Sequence, residues 1–102
     1  MKTVDVVITG ADAAAIDATL DAVRNGRHVL VVIRSRRAVV VQQLRRSLRA
    51  LRLSPAPRVM VMTGAEVACI DGVGGVEAVV VRNLRSGRLS GFNTQEVLCF
   101  PN

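Results

Sequence analysis

An α/β domain, with a mainly parallel central sheet, helices packed on it and an antiparallel β-meander layer, is the fold this sequence predicts. Three patterns predict it. The runs Val4 to Ile8, Val29 to Ile33 and Val59 to Met62 are nearly continuous in apolar, mostly β-branched residues, as strands covered on both faces are. Between them lie two segments with apolar residues at helical spacing, each long enough to cross over between parallel strands. After Met62 the pattern changes, and short strand-like segments are separated by Asp71-Gly72, Gly74-Gly75 and Ser86-Gly87, the punctuation of antiparallel turns.

The 102 residues are of single-domain size, so residues 1–102 are read as one domain. Apolar residues make up 50% of the chain and aromatics 2%, which predicts an aliphatic core that needs no disulfide or metal staple. Cys69 and Cys99 each sit among apolar neighbours and are expected as buried thiols in a reducing cytosol. No C-x-x-C pair occurs, and His28 is the only histidine, so neither a dithiol redox motif nor a metal centre is expected. No apolar run approaches the ~20 residues of a membrane span, and the N-terminus has no signal-peptide pattern. The expectation is a soluble cytoplasmic protein without a membrane partner.

The net charge of +6 is unevenly placed. No acidic residue falls between Asp21 and Glu66, while Arg24, Arg27, Arg34, Arg36, Arg37, Arg45, Arg46, Arg49, Arg52 and Arg58 all do. Such a field attracts polyanions, a dinucleotide phosphate or a nucleic acid, or it is a solvated face. Nucleic acid is the least supported of these partners, because no aromatics are interleaved for base stacking and no recognised motif occurs.

Taken in order, Val4 to Ile8 is the first strand. Ile16, Leu20 and Val23 mark a helix from Ala13 to Val23, ended by Asn25-Gly26. Val29 to Ile33 is the second strand, with Arg34-Ser35 at its carboxyl end. From Arg36 to Leu51 the positions Val40 or Val41, Leu44, Leu48 and Leu51 form one helix face, with arginines opposite, and Ser54-Pro55-Ala56-Pro57 stops it. Val59 to Met62 is the third strand. Glu66 to Ile70, Val76 to Leu84 and Leu89 to Phe92 form the meander, and Val97 to Phe100 is a last short strand. The layout expected is Val4 to Ile8, Val29 to Ile33, Val59 to Met62 and Val97 to Leu98 in one sheet, with a separate antiparallel layer from about Val67 to Phe92.

The first strand-to-helix turn carries the candidate site. In the fingerprint G-x-G-x-x-G/A the first Gly makes the turn, the second lets backbone approach a pyrophosphate, and the third small residue packs helix on strand. In Gly10-Ala11-Asp12-Ala13-Ala14-Ala15 the first and third places are filled by Gly10 and Ala15, but Asp12 holds the second. A carboxylate there opposes the anion that a helix N-terminus otherwise attracts.

On these residues the whole chain resembles the NADPH-binding domain of thioredoxin reductases and the wider pyridine nucleotide-disulfide oxidoreductase family. The resemblance rests on the fingerprint, on Asp17 in the first helix, on the basic turn Arg34-Ser35-Arg36-Arg37, and on two further stretches. These are Thr63-Gly64-Ala65-Glu66-Val67 and the segment Val76 to Gly87, which is similar to a "V-x-V-x-N-x-x-T-G" hairpin. The ending Glu96 to Asn102 resembles the family's last strand and "G-x-x-P-N" return, with the Gly lost. The resemblance implies a Rossmann-like three-layer domain, without the family's FAD domain or C-x-x-C.

It also implies a cofactor-binding set of Gly10, Ala11, Asp12, Ala13, Ala14, Ala15, Arg34, Ser35, Arg36 and Arg37. Arg34 matches the first arginine of the family's "H-R-R-x-x-x-R" pattern, while Ile33, Ser35 and Val39 replace the His and the other two arginines. An Arg after the second strand favours NADP over NAD. The implied function is a stand-alone NADP(H)-binding domain, with the nucleotide held weakly or lost and with no FAD and no metal. It would work with a separate flavoprotein, as a nucleotide sensor or as a homo-oligomer, and would not be catalytic alone, since hydride transfer needs an acceptor cofactor. The alternative is a degenerate, non-binding domain kept as an interaction module.

Overall fold

The computed structural model describes residues 2–36, 38–52 and 58–101. Its elements are β1 (Lys2–Thr3), β2 (Val6–Thr9), α1 (Ala13–Arg24), β3 (Val29–Ile33), α2 (Ala38–Ala50), β4 (Val59–Thr63), β5 (Ala65–Asp71), β6 (Ala78–Asn83), β7 (Leu89–Asn93) and β8 (Val97–Cys99). One sheet runs β4-β3-β2-β8 and is wholly parallel. The other runs β1-β7-β6-β5; β5, β6 and β7 are antiparallel neighbours, and β1 adds to β7 in parallel. The expected division into a parallel sheet and an antiparallel layer is what the structure contains.

The strand pleat divides the core in two. Val6, Ile8, Val29, Val31 and Ile33 point to one side of the parallel sheet, where they meet Ala15, Ala22, Val23 and Leu44 of the helices. Val7, Leu30 and Val32 point to the other, against Ala65, Val79, Val81 and Phe92 of the second sheet. The order is therefore helices, parallel sheet, antiparallel sheet. Alternating side chains require both faces of β2 and β3 to be covered, and all five residues of β3 are buried.

The N-terminal run is the largest departure from the sequence reading. Val4 to Ile8 is not one strand: Lys2–Thr3 pairs with β7, and β2 begins at Val6. Asp5 makes the break, because its carboxylate accepts the His28 N–H at 2.6 Å and its own N–H goes to the His28 carbonyl at 2.9 Å. Val4 donates instead to the Asn93 carbonyl at 2.9 Å and buries its side chain in the second core. His28 also accepts the Arg58 N–H on Nδ1 at 2.9 Å, so this histidine ties the amino ends of three strands together.

The other boundaries shift by a few residues. α2 starts at Ala38 and ends at Ala50, and the Ser54-Pro55-Ala56-Pro57 stop lies outside the described residues. β6 starts at Ala78, because Glu77 closes the preceding turn by donating to the Asp71 carbonyl at 2.8 Å. It ends at Asn83, whose side chain accepts the Arg85 and Ser86 amides at 2.9 and 3.0 Å, an Asx-type turn. β8 ends at Cys99, with Phe100 donating to the Thr9 carbonyl at 2.7 Å.

The expectation of buried cysteines is corrected: Cys69 and Cys99 are both exposed. Cys69 follows a register shift between Val67 and Cys69 on β5, and β5 is an edge strand. Paired with Val80, it falls on the face away from Val79 and Val81. Its thiol donates to the Asp71 carboxylate at 3.3 Å, and that bond, with the adjacent charge, holds the thiol above its ordinary pKa. Cys99 is the last residue of an edge strand. Apolar neighbours in sequence do not bury a residue at such an end. Among the described residues no His, Cys, Asp and Glu cluster suits a metal ion, and no helix is long and apolar enough to cross a membrane.

Candidate nucleotide site

Gly10 leaves β2 at φ +125°, a conformation that side chains rarely adopt. It is also walled in: a Cβ there would stand 2.6 Å from the Phe100 carbonyl oxygen and 2.8 Å from the Phe100 Cβ. The turn and the chain's last residues thus fit against one another, and the Ala11 N–H donates to the Pro101 carbonyl at 3.1 Å. Inside the turn, Gly10, Ala11, Ala15 and Ile16 leave a void of only about 10 Å³ against Val31 and Leu44. Ala15 is buried and lies where helix and strand pack closely, the role expected of the fingerprint's third small residue.

Asp12 is the N-cap of α1. Its backbone is extended, at φ −79° and ψ 176°, and its carboxylate accepts the Ala15 N–H at 2.9 Å. Asp is a strong N-cap for this reason. The cap and the Pro101 contact together engage two backbone donors of this turn, those of Ala15 and Ala11, and Ala13 and Ala14, both exposed residues, complete the first turn. Asp12 thereby places a negative charge where the helix end is positive.

The basic turn is not one patch. Arg34 is exposed and lines a cleft of about 490 Å³ with Thr9, Val32, Cys99 and the Ala65 to Ile70 stretch of β5. This cleft opens at the carboxyl ends of β2, β3 and β8, beneath the second sheet. It includes the boundary between β2 and β8, where the strand order reverses direction, and open α/β sheets bind ligands at that place. Its volume is in the range of small-molecule sites, roughly 300–1,000 Å³. Ser35 is half-buried.

Arg36 goes the other way. Its stem lies across Gly64, with Cγ at 3.1 Å from where a Cβ on that glycine would be, and it lines a separate cavity of about 350 Å³ with Val41, Gln42, Arg45, Val61 and Thr63. Arg37 lies outside the described residues. The structure therefore brings Gly10 to Ala15 together at one strand-to-helix turn but separates Arg34 from Arg36. Gln42 was missed in the sequence, Arg45 was read only as one arginine of the basic field, and Thr63 only as part of the Thr63-Gly64-Ala65-Glu66-Val67 stretch. Gln42 and Arg45 share a helix face at i, i+3, but nothing in the sequence says that the end of β4 meets that face.

No family model matches this sequence, and no curated protein matches it. Solved structures match its fold. Thioredoxin reductase from Streptococcus pyogenes aligns over 100% of this chain and 32% of its own, at 16% identity and a TM-score of 0.70. Bacillithiol disulfide reductase from Staphylococcus aureus aligns over 99% and 29%, at 19% identity and a TM-score of 0.70. L-lysine 6-monooxygenase from Pseudomonas syringae aligns over 99% and 35%, at 11% identity and a TM-score of 0.74. The chain spans about a third of the length of these proteins. It has the Rossmann-like α/β fold found in one part of thioredoxin reductase, bacillithiol disulfide reductase and L-lysine 6-monooxygenase.

Proposed function

We propose that this chain is an NADP(H)-binding domain of the flavin-oxidoreductase type, in which arginine contacts carry the affinity and the fingerprint turn contributes little. The observation that carries this reading is Arg34, set at the carboxyl end of β3 in the 490 Å³ cleft at the strand-order reversal. A guanidinium there suits the 2′-phosphate of NADP. Hydride transfer needs an acceptor, so the chain works with a separate flavoprotein, or senses the nucleotide, in the cytoplasm. Ile70 and Val73, at 49% and 93% exposure, extend from the cleft's edge strand and offer apolar surface to such a partner or to a second copy.

A second reading rests on a different observation. With the Ala11 amide taken by Pro101 and the Ala15 amide by Asp12, the turn supports a domain that has given up the dinucleotide and persists as an interaction module.

Fluorescence titration with NADPH and NADH separates the two. The expected result is NADPH binding in the high micromolar range, weaker NADH binding, and loss of that preference in Arg34→Ala. No binding of either nucleotide at millimolar concentration would favour the second reading. Nanomolar NADPH binding insensitive to Arg34→Ala would overturn the placement of the ligand. A strict monomer by light scattering, unaltered by any flavoprotein offered to it, would remove the partner from the account.

A further inference from the structure

We infer that the cavity between α2 and the end of β4 is an oxyanion site for a phosphomonoester dianion, separate from the cleft that Arg34 lines. It is an open surface hollow, and Arg36, Arg45, Gln42 and Thr63, all exposed, line it. Two guanidiniums, one amide and one hydroxyl are a donor set suited to phosphate, and arginine meets phosphate oxygens with two parallel N–H donors.

Charge supports the same ligand. Among the described residues no carboxylate lines the cavity, and neither Arg36 nor Arg45 belongs to an ion pair; the pairs present are Arg27 with Glu96 and Arg82 with Glu66. Two cations facing one hollow repel each other, and a bound dianion removes that repulsion.

The position of Arg36 is built into the backbone. Gly64 is buried and at φ +58°, and its carbonyl accepts the Leu84 N–H at 2.9 Å. This fixes the bare glycine as a shelf on which the Arg36 stem lies, with its Cγ and Cδ 3.1 and 3.3 Å from the place of a Cβ. Thr63 is the preceding residue, at the end of β4. Gln42 and Arg45 come from one face of α2, and Val41 and Val61 are the apolar part of the lining. The site does not depend on whether a dinucleotide enters the cleft.

Inorganic phosphate titrated by calorimetry at low salt is the probe, followed by adenosine 2′-monophosphate and adenosine 5′-monophosphate. The full chain should bind inorganic phosphate saturably. Arg36→Gln and Arg45→Gln should each weaken binding about tenfold or more, as the loss of a charged hydrogen bond implies. Arg88→Gln, at the distant β6–β7 turn, should not change it. Gly64→Ala should weaken it with both arginines still present, because the added methyl displaces Arg36. Equal binding of all three probes identifies free phosphate, and a preference for the 2′-ester that survives Arg34→Ala identifies a nucleotide phosphate; both support the site. Phosphate binding lost in Arg34→Ala and kept in Arg36→Gln and Arg45→Gln belongs to the cleft and would overturn it. No saturable binding, or equal binding by native chain, Arg36→Gln and Arg45→Gln, would overturn it. So would loss in Arg36→Gln alone, since the cavity is shared.

Discussion

Gly10→Ala is expected to lower the stability of the domain by about 3 kcal/mol, the sum of a strained φ (about 1–3 kcal/mol) and an overpacked contact (about 1–3 kcal/mol). Both components are visible at one residue. The backbone sits at φ +125°, and the new methyl would have to occupy a point 2.6 Å from the Phe100 carbonyl oxygen. Relief requires Phe100 to move, and Phe100 is tied to β2 through its bond to the Thr9 carbonyl at 2.7 Å. The Ala11 bond to Pro101 would be disturbed by the same movement. For a domain of this size, 3 kcal/mol corresponds to a fall in Tm of at least about 12 °C. Gly87→Ala is the control, since Gly87 has φ +74° but nothing within 4 Å of an added Cβ. It should cost about 1 kcal/mol, the conformational penalty alone. Equal losses for the two variants, measured by thermal melts, would show that the Phe100 contact does not close the turn.

Asp12→Gly is expected to strengthen NADPH binding. Two unit charges ~4 Å apart repel by about 1 kcal/mol in water and about 4 kcal/mol at a surface-like effective dielectric, which keeps the phosphates away from the turn in the native chain. Removing the carboxylate lets them draw in and should gain at least about fivefold in affinity. It also frees the Ala15 amide, which the carboxylate now occupies at 2.9 Å. The structural cost is small. Asp12 is extended at φ −79°, ψ 176°, so it is outside the helix and the usual cost of a helical glycine does not apply. An N-cap replaced by Gly loses only a few tenths of a kcal/mol. Adding Arg34→Ala should remove the preference for NADPH over NADH while keeping part of the gain. Unchanged or weaker NADPH binding in Asp12→Gly would mean that the phosphates do not approach this end of α1.

Most strands and the division into two sheets were legible in the sequence because period, β-branching and turn residues report them directly. The buried β3 and the Asp71-Gly72 and Ser86-Gly87 turns are examples, while the three-layer order was an implication of the family resemblance. The split at Asp5 was not legible, since it depends on His28, a residue more than twenty positions away whose amide takes the Asp5 carboxylate. The exposure of Cys69 was hidden for a related reason, because it follows from a register shift and an edge position that an apolar neighbourhood does not report. In the candidate site, the flaw at Asp12 was readable, and an Asp directly before a helix that starts at Ala13 also carries the N-cap signal, which the fingerprint reading passed over. The closure of the turn by Pro101 was not legible. Nor could four consecutive residues, Arg34 to Arg37, reveal that Arg34 and Arg36 line different cavities. That separation is set by Gly64, where the chain passes from one sheet to the other.

The most direct measurement on the nucleotide reading is to follow backbone amide resonances of the native chain by NMR while NADPH is added to millimolar concentration. The account predicts shifts at Thr9, Arg34 and Cys99, which line the cleft, while Ala11 and Ala15, hydrogen-bonded to Pro101 and Asp12, stay in place. Large shifts confined to the amides of Gly10 to Ala15, with none at Arg34, would contradict it.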